Sequence, residues 1–512
     1  MNNSGLISLL LVVIMVLTMS ACGGGGDTSE GGGQAQGVND AAQNGVGDNA
    51  GSADVGDMTV VRCAFPSFND VSDSEMVEAE INKVLAEKYG IQTDITFINT
   101  GSWQQQSTLL LTGDEVDVIT LWPLPLSTFI NNRQLLPLDS YLETASDELK
   151  NKFTEEQWKA CQSDGVQYSI PNLRNYGSIF ICFWDEAKLA ELGYKAEEIT
   201  TLDQIEEVLY AAHEKYPDIY TIVPQGQANF VNGVYWDGLG DQNYIGVLGD
   251  CGQDTTVTDI FECQDFIDFV TRTRKWYLDG LMMGDALSNQ ETGSTMIQNG
   301  AAFASLTNRA CEPAPAGLTQ SQFVDGWSDS TNITALTYGI NALSPNPDEA
   351  WTMLEALYCD TDVQQLLING IEGIHYVDNG DGSVSYPDGV TSSSSTYGEG
   401  PMYWSLPYAN ADVTPNTELG PATFFSDLIE FNNACTPSIA TGITIDTEAM
   451  GVVDEYAACL NVKDKYYNGL MNGILDPETT LPQAHQEMVD AGIEKICAAK
   501  QQVLDEFLAN KQ

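Results

Sequence analysis

The feature that most constrains this chain is an alternation of strand and helix signatures between Met58 and Trp122. The run Met58-Thr-Val-Val-Arg-Cys-Ala-Phe65 reads as a strand. Ser72-Asp-Ser-Glu75 offers a capping box for a helix. Met76, Val77, Ile81, Val84, Leu85 and Tyr89 follow at helical spacing, and Gly90 is placed to end that helix. Residues 92–98 alternate polar and apolar like a strand. After a second helical stretch, Val116-Asp-Val-Ile-Thr-Leu-Trp122 is a further strand, stopped by Pro123 and Pro125. Strand–helix–strand–helix–strand in that order predicts a parallel sheet with helices on its faces.

The pattern recurs downstream. Residues 178–184 read as a strand leading into a short helix closed by Gly193. Thr201-Leu-Asp-Gln204 caps the next helix, carried by Ile205, Val208, Leu209 and Ala212. Asn346 and Pro347 open another, with asparagine at the N-cap and proline in the first turn. Asp378-Asn-Gly-Asp-Gly382, between two short β-rich runs, predicts a hairpin turn. Its acids hint at a calcium loop, but the ligand spacing of an EF-hand is absent and no metal or other cofactor is expected. Residues 483–510 read as a helical tail with Met488, Ile493, Ile496, Val503, Leu504 and Phe507 on its apolar face. The stretch from Met58 to Gln512 is too long for one hydrophobic core, so two α/β lobes are expected.

The segment before Met58 bears on location. Residues 6–19 are almost wholly apolar, a run too short to span a bilayer comfortably, since that takes roughly 20 residues. It leads into Met19-Ser20-Ala21-Cys22 and then glycines, which resembles a bacterial lipobox. Met stands where Leu is usual, and no Lys or Arg precedes the apolar run. The expectation is a signal peptide over residues 1–22, a lipidated Cys22 and an extracytoplasmic, membrane-anchored location. Residues 23–57 lack any aromatic or basic side chain and read as a disordered tether, with a reach of about 30–35 Å.

Charge narrows the partners. Twenty Lys and Arg stand against 73 Asp and Glu, a net charge of −53. Such a field repels nucleic acid and anionic lipid, and it disfavours phosphorylated or uronate-rich ligands unless a local arginine opposes it. Of the 11 cysteines, those other than Cys22 include no C-x-x-C pair. Cys161, Cys182, Cys263, Cys359, Cys459 and Cys497 sit among apolar or helical neighbours, as buried thiols do. A body of this size does not depend on disulfides, so mostly free thiols are expected.

Several segments, in order, resemble the extracellular solute-binding proteins of the maltose-binding-protein superfamily. Gly113-Asp-Glu-Val-Asp-Val-Ile-Thr-Leu-Trp122 is similar to that family's Gly-x-x-x-Asp strand, and Leu135-Leu-Pro-Leu-Asp139 to its continuation. Tyr168-Ser-Ile-Pro171 resembles the crossing into a second lobe. Met296-Ile-Gln-Asn-Gly-Ala-Ala-Phe303 resembles a strand of that lobe, and the segment opening at Tyr338-Gly-Ile-Asn the return from it. The resemblance implies an α/β, two-lobe periplasmic-binding-protein type II fold with a hinge and a central ligand cleft. It places the first lobe at 58–171 and 325–368 and the second at 172–324 and 369–512. It also implies a monomeric binding subunit that hands a ligand, an oligosaccharide by the nearest resemblance, to the permease subunits of an ABC importer.

Ligands of open α/β sheets lie beyond the carboxyl ends of strands. Sugar sites pair aromatic platforms with planar polar groups. These rules nominate Asn69 and Asp70 after the first strand, Trp122 at a strand end and Trp103 in the helix before it. In the second lobe they nominate Arg174 and Tyr176 after the crossing, Phe230 and Trp236 in a Gly/Asn-rich loop, Arg309 at a strand end and Trp404 in a Gly/Pro-rich loop. Core packing, structural ion pairs or helix capping are the competing roles of these residues. Other functions find less support. A glycoside hydrolase needs two carboxyls at a set separation, which a sequence does not display. His213, His375 and His485 form no H-E-x-x-H, and no G-x-S-x-G elbow or Walker loop is present. A surface carbohydrate-binding adhesin would keep the fold without a permease, and a polyamine or peptide is the alternative ligand.

Overall fold

The strand signatures assemble into two sheets. The computed structural model describes residues 58–67, 70–163, 165–226, 229–231, 233–391, 394–398 and 413–510. Its main strands are β1 (Thr59–Ser67), β2 (Ile91–Asn99), β3 (Val118–Leu121), β4 (Gly177–Asp185), β5 (Tyr220–Val223), β6 (Ala302–Arg309), β7 (Leu318–Ser328), β8 (Thr337–Ile340) and β9 (Thr436–Pro437). The first sheet has the order β8-β3-β1-β2. There β1 runs parallel to β2 and β3, as the alternation predicts, while β8 returns antiparallel to β3. The second has the order β9-β7-β4-β6-β5, with β4 antiparallel to both its neighbours.

The local chemistry explains these elements. The last five residues of β1 are all buried, as befits a central strand covered on both faces. The helix Ser74–Tyr89 turns Val77, Ile81 and Leu85 inward and ends at Gly90, whose φ of 69° is the left-handed stop that favours glycine. Its predicted capping box does not form. Asp73 takes the N-cap without a side-chain cap bond, because the Ser72 N–H already donates to Asp70 Oδ1 at 2.9 Å and turns the chain one residue later. Thr201 does cap Leu202–Lys215, and the predicted hairpin pairs Val377 with Ser385. The tail is two helices rather than one, Pro477–Ala491 and Ile493–Asn510, parted at Gly492 with φ 102°.

Each sheet anchors its own core. Phe65, Tyr338 and Leu354 centre the first, and Trp184, Phe266 and Leu470 the second. The expected lobe boundaries shift in two places. β7 stays in the second sheet through Ser328, so the return to the first lobe begins after 328 rather than at 325. Tyr397, Val413, Phe424, Phe425 and Leu428 pack into the first core, so much of the segment after 369 belongs to the first lobe. Its aromatic side chains find their burial there, and the chain re-enters the second sheet only at β9. Three crossings therefore join the lobes, near residues 172–177, 328–337 and 431–436. The ten cysteines of the described region are all free thiols. Cys22, the apolar run and the tether lie outside the described residues. Among the described residues no helix is long and apolar enough to cross a membrane.

Candidate functional site

The three crossings converge on the backbone of Tyr176. Asn432, from the third, accepts the Tyr176 N–H at 2.9 Å and the Gly177 N–H at 3.3 Å, and donates to the Arg174 carbonyl at 2.7 Å. Ser328 and Asn332, from the second, donate to the Tyr176 carbonyl at 2.9 and 3.0 Å. The approach is close enough to require glycine. A Cβ at Gly177 would stand 2.2 Å from the Cys435 sulfur.

Beside this knot lies a cavity of about 380 Å³, within the range of small-ligand sites. The first lobe contributes Trp122, and the first crossing contributes Arg174. Ser178, Phe180, Asn308 and Trp327 enter from the second sheet, and Asp329, Thr331 and Asn332 from the second crossing. Gln242 and Tyr244 come from the loop after 232. Among the described residues, aromatic side chains, amides and hydroxyls thus share one space with a single arginine and a single carboxylate.

The loop carrying Gln242 and Tyr244 is held from beneath by buried charges. Asp237 accepts from the Leu239 N–H, the Ser330 N–H and the Ser330 hydroxyl, each at 2.7 Å. Asp241 accepts from the Asn243 N–H at 2.9 Å and from the Lys500 ammonium at 3.0 Å. Lys500 is fully buried and also donates to the carbonyls of Gly238 and Gly246 at 3.0 and 3.1 Å, which satisfies all three of its protons. Gly240 turns the loop at φ 77°, where a Cβ would meet the Ile443 carbonyl at 2.5 Å. Burial, then the neighbouring Asp237 charge, pushes the Asp329 carboxyl up to about 7, against hydrogen bonds from Thr331 that act the other way.

Of the nominated residues, the structure brings Trp122 and Arg174 to this cavity. Trp103 does not reach it. It is fully buried, and its indole N–H donates to the Trp122 carbonyl at 2.8 Å, so it supports the backbone of the neighbouring tryptophan. Phe230 and Trp236 are likewise fully buried. Trp236 packs edge-on against Phe266 at 5.4 Å, because the loop that carries it folds inward as part of the second core. The Tyr176 side chain is buried against Ala160 and Ile333, with its hydroxyl on the Asn172 carbonyl. Asp70 is exposed and serves the turn before the first helix. Arg309 lines a neighbouring cavity. Asn69 and Trp404 lie outside the described residues. Tyr244, Trp327 and Asp329 also line the cavity and are not among the nominated residues. The available signal was the polar run Ser328-Asp-Ser-Thr-Asn332 directly after Trp327, a loop at a strand end. Among the described residues, no group of three or more His, Cys, Asp or Glu is placed to hold a metal ion.

Comparison with known proteins gives a consistent picture. Residues 72–360 match the family described as bacterial extracellular solute-binding protein. Residues 439–509, which include Lys500, match a domain of unknown function (DUF3502). A carbohydrate ABC transporter substrate-binding protein of Streptococcus pneumoniae serotype 4 is 20% identical over 502 residues, covering 92% of this chain and 96% of that protein. The crystal structure of an N-glycan transport solute binding protein from Streptococcus pneumoniae superposes with a TM-score of 0.76 at 18% identity, over 89% of this chain and 100% of that one. An alginate-binding protein solved without calcium ion superposes with a TM-score of 0.60 at 15% identity, over 88% and 99%.

Proposed function

The chain belongs to the bacterial extracellular solute-binding protein family, and on that premise we propose that it captures a neutral oligosaccharide and delivers it to the permease of an ABC importer. The cavity carries this reading. Trp122 and Trp327 provide apolar faces for sugar C–H surfaces, while Asn308, Asn332 and Gln242 provide planar donors and acceptors for hydroxyls. Arg174 and an Asp329 carboxyl that burial keeps partly protonated leave no dense negative charge in the cavity, which suits a neutral ligand better than a polyamine. The similar proteins point to saccharides by name, one to carbohydrate, one to N-glycan and one to alginate. The protein acts as a monomer held to the membrane by lipid on Cys22, and the lobes close on the ligand without catalysing a reaction. A hydrolase would need a second carboxylate at the bond, and Asp329 is the one carboxylate among the described residues lining this cavity.

The test is a melting screen of the chain from Met58 against neutral oligosaccharides, polyamines and peptides. A ligand at a hundredfold excess over its Kd stabilises the native state by about 2.7 kcal/mol. A rise with one sugar class, with the sugar recovered intact, supports the reading. A rise only with a polyamine or peptide overturns the carbohydrate. Trp122→Ala should weaken binding of that sugar about tenfold, the loss of one aromatic face.

A further inference from the structure

The structure has a second cavity, of about 300 Å³, that shares Asn308 with the first. Strand alternation places the two on opposite faces of the second sheet. Ser178 and Phe180 line the first cavity, whereas Phe183 lines the second, and side chains an odd number apart on a strand point to opposite faces. Across the ladder, Arg309 pairs with Ile179 and Asn308 with Phe180, so these consecutive residues diverge around the end of β6.

The walls of the second cavity are mostly polar. The Arg309 guanidinium lies 5.1 Å from the Phe183 ring centroid and donates through Nη2 to the Pro313 carbonyl at 3.1 Å. Its Nε is buried and has no hydrogen-bond partner among the described residues, with Glu312 Oε2 standing off at 3.9 Å. Gln225 donates from Nε2 to Asn308 Oδ1 at 3.2 Å, and its buried Oε1 also lacks a partner among the described residues. Buried polar atoms of native proteins are ordinarily satisfied. Here two residues on the walls of one cavity, Arg309 and Gln225, each keep a buried polar atom without a partner among the described residues, with the hydroxyls of Thr292 and Ser294 beside them. Glu312 offsets the charge of Arg309, so the site does not single out an anion.

We propose that this second cavity is a subsite for a further neutral sugar unit of the same ligand, which passes over the end of β6 at Asn308 and is held by Arg309 and Gln225. The inference rests on the carbohydrate reading of the first cavity.

Titration calorimetry of wild type, Gln225→Ala, Arg309→Ala and Arg309→Lys tests it. The probes are malto-oligosaccharides of two to five glucose units and glycans bearing one or five mannose units on N-acetylglucosamine. Expected is a wild-type affinity that rises with ligand size. The two alanine variants should lose about tenfold or more of the gain for the larger sugars, yet bind the smallest within twofold of wild type. Melting temperatures unchanged from wild type show that the fold is intact. Gln225, whose side chain has Asn308 as its one partner among the described residues, keeps the test open if Arg309→Ala fails to fold, and Arg309→Lys should restore part of the loss. Equal weakening of small and large sugars, or no weakening in either variant, overturns the second subsite while leaving the first. An oligouronate bound more tightly than any neutral probe, through Arg309, overturns the neutral ligand. Failure of every sugar to bind wild type overturns the carbohydrate reading and the subsite with it.

Discussion

Asp329 holds its proton more tightly folded than unfolded, because burial and the nearby Asp237 and Asp241 charges raise its carboxyl from 3.8 to about 7. A group shifted upward in this way adds stability below its unfolded value, and that contribution is lost as pH rises through the folded one. Wild type should therefore lose stability between pH 4 and 7 relative to Asp329→Asn, whose side chain does not titrate. Melting curves of both proteins across that range check it, and a constant difference between them would count against the assignment. At this scale the sequence was only partly readable. Trp122 and Arg174 follow a strand end and a crossing, positions that topology sends to a cleft. Phe230 and Trp236 occupy a loop of similar composition, yet they turn inward to Phe269 and Phe266. Nothing in a Gly/Asn-rich stretch records which way its aromatics face. Trp327 was missed because the long antiparallel strand it ends is recognised by its partner β4, a pairing absent from the linear sequence.

Among elements, the first sheet is pinned by one ion pair. Arg62 on β1 donates to Asp117 through its backbone N–H, Nε and Nη2 at 2.8, 2.9 and 2.9 Å. The Ser344 hydroxyl adds a bond of 2.7 Å, and the Asp117 carbonyl accepts the Asn341 N–H at 2.9 Å just beyond β8. Burial alone would raise the Asp117 carboxyl. The Arg62 and Ser344 donors more than offset it and hold the carboxyl below its ordinary range. Arg62→Met should destabilise the protein by about 3 kcal/mol, since it strands a fully buried carboxylate. Chemical denaturation reads that out, and a change within 0.5 kcal/mol, the size of an ordinary surface substitution, would refute it. Asp117 is the acid of the Gly-x-x-x-Asp pattern, so the motif that signalled the family marks a structural clamp rather than a ligand contact. Periodicity and helix stops made the β1–β3 unit legible, because its contacts are local. The place of Tyr397, Phe424 and Phe425 in the first lobe was not, because they reach a core laid down some 300 residues earlier.

For the whole molecule, three crossings tied at Tyr176 form one hinge instead of three independent linkers. Asn432 contributes three of those ties, so Asn432→Ala leaves two backbone N–H groups without their acceptor. We expect the unliganded variant to sample wider lobe separations, seen as a larger radius of gyration in small-angle scattering, and its sugar affinity to fall about tenfold. An unchanged scattering profile with unchanged affinity would show that the knot does not govern closure. The buried ammonium beneath the cavity loop has a different consequence, one of timing. Lys500 lies 259 positions after Asp241, the residue it grips. Ribosomes add roughly 5–20 residues per second, so roughly 10–50 s pass between synthesis of the loop and synthesis of its anchor. The loop that carries Gln242 and Tyr244 therefore gains this anchor only when the C-terminal helix is in place, so the cavity is completed by the last-made part of the chain.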